Sequence, residues 1–170
     1  MGSIIAVGEQ FAERGGWKYL CVDSNLPIQN YEPIGELKSL WDAKRGGQLM
    51  PGWRDFALED LWPWAGWLIV EEVQQTANFR LRIRLWGTQV AEFYGTDFTG
   101  QSSDEDLGNF YWPEDLLFRQ RILDTGCIGY AFGPMAWLER TYKDYGYFVL
   151  PMADDGKTGD RLLVLIQPAK

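Results

Sequence analysis

Between positions 79 and 85 the chain alternates strictly: Phe79, Leu81, Ile83 and Leu85 are apolar, and Arg80, Arg82 and Arg84 stand between them. A period of two places aliphatic groups on one face of a β-strand and guanidinium groups on the other. Just upstream, residues 66–73 form an apolar run rich in branched and aromatic side chains, and the polar stretch 74–78 separates the two runs. Two strands joined as a hairpin are predicted. Elsewhere the spacing is helical. Ile34, Leu37, Leu40 and Trp41 share one face of a helix over 34–45, which Gly46-Gly47 ends. Thr88 caps a short helix carrying Val90, Ala91 and Phe93 as far as Gly95. Pro113-Glu114-Asp115 opens another helix over 113–124, closed by Gly126. Apolar and aromatic stretches then follow at 128–132, 135–142, 145–152 and 162–166, and they suggest a three-stranded antiparallel meander.

The order is therefore helix, two strands, two helices, three strands. An α+β fold, a five-stranded antiparallel sheet with short helices on one face, satisfies it. The first 33 residues mix Gly8, Gly15, Gly16, Pro27 and Pro33 with short apolar pieces and read as an N-terminal arm packing onto a domain over 34–170. A length of 170 residues suits one such domain.

Composition narrows the chemistry more than the fold. The chain has no histidine, which removes Ser-His-Asp triads, Cys-His pairs, and zinc or haem held by imidazole. Its two cysteines, Cys21 and Cys127, cannot build a four-cysteine metal site, so no metal site is expected. A net charge of −8 repels nucleic acid and anionic lipid. With no apolar run of membrane-spanning length and no signal-peptide pattern, the expectation is a reduced, cytoplasmic protein that engages neither nucleic acid nor membrane.

Several segments carry a family resemblance. They are Leu40-Trp41 with Arg45-Gly46-Gly47, Met50-Pro51 with Arg54-Asp55, and Arg82-Ile83-Arg84-Leu85-Trp86-Gly87-Thr88 leading to Gly95-Thr96-Asp97-Phe98-Thr99-Gly100. Leu150-Pro151-Met152-Ala153-Asp154-Asp155-Gly156 and Asp160-Arg161-Leu162-Leu163 complete the set. In this order and at these intervals they resemble the bacterial PAS-like domains, specifically the stand-alone single-domain subfamily first catalogued as a domain of unknown function. The resemblance spans about 34–167. It implies a sheet cupped around short helices, a cavity between them, and sensory or regulatory use in signal transduction without catalysis. It implies no particular cofactor. The sequence departs from relatives that bind haem through histidine, and Cys127 lacks the Asn-Cys-Arg context of a flavin-reactive cysteine.

Aromatic residues make up 15% of the chain, enough to line a pocket as well as fill a core. Candidate pocket residues are Trp67, Phe79, Leu81, Ile83, Phe93 and Phe98, with Phe118, Tyr130, Phe132 and Phe148 beyond them. Candidate polar anchors are Arg54, Asp55, Arg82 and Arg84. The arginine row could grip a carboxylate or phosphate. A salt-bridged outer face is the plainer alternative, with Glu9, Glu13 or Asp23 as partners should the arm lie across it. Glu71-Glu72 and Asp154-Asp155 are adjacent pairs that a strand sends to opposite faces, so neither forms an acid/base couple. The expected partners are a small molecule, a signalling protein, or both, and a homodimer through the sheet or arm is compatible. A constitutive adaptor with a closed core and an enzyme using Asp55 as a carboxylate base are the alternatives.

Overall fold

The computed structural model describes residues 3–108, 110–135 and 144–168. Seven strands form one antiparallel sheet: β1 (Glu9–Arg14), β2 (Trp17–Val22), β3 (Leu68–Val73), β4 (Leu81–Trp86), β5 (Ile128–Pro134), β6 (Asp144–Met152) and β7 (Arg161–Pro168). The helices are α1 (Ile4–Val7), α2 (Gly35–Arg45), α3 (Thr88–Tyr94) and α4 (Pro113–Thr125). Across the sheet the order is β1-β2-β5-β6-β7-β3-β4. The α+β class and the antiparallel sheet agree with expectation; the strand number does not. Residues 9–22 add two strands because Gly15 and Gly16 both adopt positive φ (52° and 85°) and turn the chain back on itself as a tight hairpin. The apolar stretch 135–142, beyond Met135, lies outside the described residues.

Helices pack on both faces, not one. The central strands β6 and β7 are apolar at both parities and buried along nearly their whole length, so each face needs cover. On one face Tyr147, Val149 and Val164 meet Val90 of α3 and Phe118 and Ile122 of α4. On the other, Phe148, Leu150 and Leu163 meet Leu37 and Trp41 of α2, together with Ile4 and Tyr31. The Trp41 indole N–H donates to the Pro151 carbonyl at 2.8 Å and anchors α2 to the end of β6.

Leu81 and Ile83 turn toward the α3–α4 face, as their alternation predicts. Leu85 does not. An extra residue, Arg84, bulges between the pairs Val70–Leu85 and Glu71–Ile83, so Leu85 swings to the α2 face and Trp86 returns to the α3–α4 face. Gly87 follows where a Cβ would fall 2.2 Å from the Gly66 carbonyl oxygen, a close backbone approach that only glycine tolerates. The outer edge of β4 is covered by the next loop: Ile83 N–H donates to Gln101 O, and Gly100 and Ser103 N–H donate back to Ile83 and Leu81 carbonyls.

Candidate functional site

A cavity of about 340 Å³ opens on the α3–α4 face of the sheet. Its walls come from four places in the chain. The β1–β2 hairpin supplies Arg14, Gly15 and Trp17; α3 and the following loop supply Tyr94, Thr96 and Phe98. The approach to α4 and α4 itself supply Phe110, Trp112, Asp115 and Arg119, and the sheet supplies Tyr145 and Tyr147. The rings meet mostly edge to face, for example Trp17 on Tyr145 at 4.8 Å and Tyr94 on Phe110 at 5.4 Å between centroids. This is how aromatic quadrupoles pack around a space without collapsing it.

Beneath the rings lies a buried polar network. Asp115 sits three residues after the N-cap of α4, and its Oδ2 accepts the Trp112 backbone N–H at 2.9 Å, a cap that also fixes the carboxylate. Its Oδ1 accepts the Tyr147 hydroxyl at 2.7 Å and the Tyr19 hydroxyl at 3.0 Å. One helical turn on, Arg119 donates from Nε to Glu71 Oε1 at 2.7 Å, and from Nη1 to Tyr147 Oη and the Asp115 carbonyl, both at 3.3 Å. The Tyr111 hydroxyl donates to the second Glu71 oxygen. Glu71 is fully buried and Arg119 is 3% exposed, so this ion pair is sealed from water. The rings of Tyr147 and Tyr111 lie 5.0 and 5.1 Å from the guanidinium carbon.

The electrostatics follow from that packing. Burial works against the charge on Arg119, but Glu71 beside it prevails and holds the guanidinium firmly protonated. Tyr147 is pushed well above the ordinary phenol range by burial and then by the Asp115 charge, and Tyr111 by burial and then by Glu71. The tyrosines therefore act as neutral donors holding two carboxylates. At the mouth, the Arg14 guanidinium stacks 4.1 Å over Trp112 and stands 3.5 Å from Glu114.

Of the pocket candidates named from sequence, Phe98 lines this cavity. Leu81, Ile83 and Phe118 are buried in the core of the same face, where Phe79 and Phe93 pack against them. Tyr130 and Phe148 stack on each other on the opposite face at 4.4 Å, and Phe132 stacks on Tyr130 at 5.1 Å. Trp67 borders a second space of about 370 Å³ beside the start of α2, bounded in part by the exposed Glu32, Pro33 and Glu36. The polar candidates lie away from both spaces. Exposed Arg54 donates to the Asp154 carbonyl at 2.8 Å, and exposed Asp55 accepts the Gly52 N–H at 2.7 Å.

The arginine row forms ion pairs, though not with the N-terminal segment, which lies at the other edge of the sheet. Arg84 bonds Glu72 at 3.0 and 3.1 Å, and Arg80 bonds Asp104 at 2.9 Å. Arg82, half-buried, bridges to Ser102 through the backbone. Arg161 also reaches Glu72 at 3.1 Å, so the adjacent pair Glu71-Glu72 is split as a strand requires: one carboxylate in the core, the other on an ion-paired surface.

Glu71, Asp115, Arg119, Tyr111 and Tyr147 were not singled out as site residues from sequence. A signal existed. Glu71 shares parity with Ile69, so a strand reading places a carboxylate among core aliphatics, and such a group demands a buried cation. Among the described residues, no group of three or more cysteine or acidic side chains is placed to hold a metal ion, and no helix is long and apolar enough to cross a membrane. No protein-family model matches the chain, and neither does any curated protein.

Proposed function

We propose that this protein is a non-enzymatic, PAS-like regulatory domain that binds a small molecule between its sheet and the α3–α4 pair and passes occupancy to a partner protein. The observation that carries this reading is the aromatic cavity itself. At about 340 Å³ it falls within the size range of small-molecule sites, with a few convergent polar groups among apolar walls. The run from β3 to β7, two strands, two helices and three strands in the order that the periodicity predicts, falls within the span of the resemblance and is compatible with this reading.

A route for the signal is built into the walls. Arg14, Gly15 and Trp17 belong to the N-terminal hairpin, so an occupant touches that hairpin directly. A ligand that binds two dockings of the hairpin unequally shifts their populations; equal affinity shifts nothing.

The test is a fragment screen by thermal shift on the purified chain, with native mass spectrometry of hits. A ligand at one hundred times its Kd adds about 2.7 kcal/mol, or roughly 5–10 °C for a chain of this size. Stabilising compounds whose effect vanishes in Thr96→Trp, which places an indole at the exposed mouth, support the reading. A screen without a single hit would refute it in favour of a closed-core adaptor.

A further inference from the structure

Arg14, at the end of β1, brings to the cavity wall the charge that is least compensated there. Its Nε is buried and has no hydrogen-bond partner among the described residues. Glu114, with which it forms a loose ion pair, stands 3.5 Å from that nitrogen and is 36% exposed to water. That separation lies beyond the range of about 2.7–3.2 Å for an N–H···O bond. A buried donor without an acceptor calls for one, and an occupant of the cavity is placed to supply it.

The other ionic groups of the wall are already matched. Asp115 accepts from the Tyr19 and Tyr147 hydroxyls and from the Trp112 N–H. Arg119 is closed onto Glu71, which does not itself line the space. The charges that do line it are Arg14 and Arg119 against Asp115, two positive and one negative, a balance of +1. The −8 of the whole chain weighs less at this site, because exposed charges are screened over about 8 Å at physiological ionic strength. The hydroxyls of Tyr94, Thr96 and Tyr145 in the wall both donate and accept, so they take either kind of polar group and do not select between them.

Shape narrows the anion. The Arg14 guanidinium lies 4.1 Å over the Trp112 ring, and Trp17, Phe98 and Phe110 continue an aromatic wall that takes flat rings. A guanidinium is a planar fork that matches the plane and spacing of a carboxylate. A single surplus positive charge suits a monoanion better than a phosphate dianion.

Resting on the small-molecule reading above, we infer that the ligand is a flat aromatic acid, held with its rings among these aromatic side chains and its carboxylate accepting from Arg14.

The probes are three compounds of one shape, 2-naphthoate, 2-naphthamide and 2-naphthylmethylamine, which are anionic, neutral and cationic at pH 7. Each is measured by equilibrium dialysis against the intact chain. Naphthoate is expected to bind about tenfold more tightly than the amide, the usual worth of a charge-assisted hydrogen bond, and the amine most weakly. In Arg14→Gln, naphthoate should fall to the level of the amide while amide binding persists. Equal binding of naphthoate and amide to the native chain, tightest binding of the amine, or a preference for naphthoate that survives Arg14→Gln overturns this inference and leaves the cavity reading standing. Naphthoate binding that survives Thr96→Trp lies outside the cavity and overturns it as well. If none of the three binds, the inference falls, and the fragment screen decides whether the cavity reading falls with it. The comparison on the native chain decides the matter even if the Arg14 variant fails to fold.

Discussion

Arg119→Met gives the sharpest test of the buried network. Methionine fills much of the same volume but leaves the Glu71 carboxylate, fully buried in the native chain, with the Tyr111 hydroxyl as its remaining partner. Breaking a buried ion pair by removing one partner costs about 3–5 kcal/mol, because the other charge stays uncompensated. For a chain of this length that corresponds to a fall of roughly 6–20 °C in Tm. Adding Glu71→Gln should recover most of the loss, since the amide oxygen still accepts from Tyr111 and no charge remains buried. The native chain and the three variants, Arg119→Met, Glu71→Gln and the double, form a cycle measurable by urea denaturation followed with both tryptophan fluorescence and far-UV circular dichroism. A loss below about 1 kcal/mol, or a double variant worse than the sum of the singles, would refute the claim that the pair is sealed from water.

Three further outcomes are expected. Burial raises the phenols of Tyr19, Tyr145 and Tyr147 above their ordinary value of 10.0. A raised pKa in the folded state means that the stability it represents is intact below pH 10 and is lost as pH climbs above it. Three such groups forfeit about 4 kcal/mol per pH unit. Base-induced unfolding should therefore begin above pH 10, with tyrosinate absorbance at 295 nm rising in the same transition; tyrosinate appearing without unfolding would contradict this. The neighbouring Cys21 thiol holds the Cys127 thiol down at about 7 against the opposing effect of burial, while Cys21 is pushed up by the same neighbour and by burial. Iodoacetamide should modify Cys127 first, with a rate that climbs between pH 6 and 8, and equal rates at both sites would refute the pairing. Finally, Gly133→Ala puts a Cβ 2.6 Å from Cγ of Trp17 and should cost about 1–3 kcal/mol by overpacking, seen as a lower urea midpoint. An unchanged midpoint would mean that the Trp17 wall moves freely.

Helices α2, α3 and α4 were legible because each keeps a helical spacing and ends at glycine, and β3 to β7 because turn residues bound their apolar runs. The hairpin was not. Gly15-Gly16 reads as a break when the flanking strands are short, and β1 alternates poorly because most of it faces solvent; yet two adjacent glycines between strands are also the chemistry of a tight β-turn. The pocket list used parity for positions 79–85 but not for β5 and β6, where aromatics stand at both parities. Tyr130 and Phe148 occupy positions whose side chains point to the α2 face, while Tyr145 and Tyr147, one residue out of phase with Phe148, point to the cavity. Asp115 was read as a first-turn helix residue, which it is; its second role depends on Tyr19 and Tyr147 arriving from distant strands, and no local pattern encodes that.

The covering of β4 by residues 100–103 has a consequence for how the molecule meets its own kind. A bare outermost strand is a template on which another chain can continue the ladder, the first step of fibre growth. Here one flank is already occupied by the protein's own loop. The opposite flank is six residues long, interrupted by a register shift between Gln10 and Ala12, and studded with Glu9, Glu13 and Arg14. Neither border of the sheet invites another chain to continue the ladder.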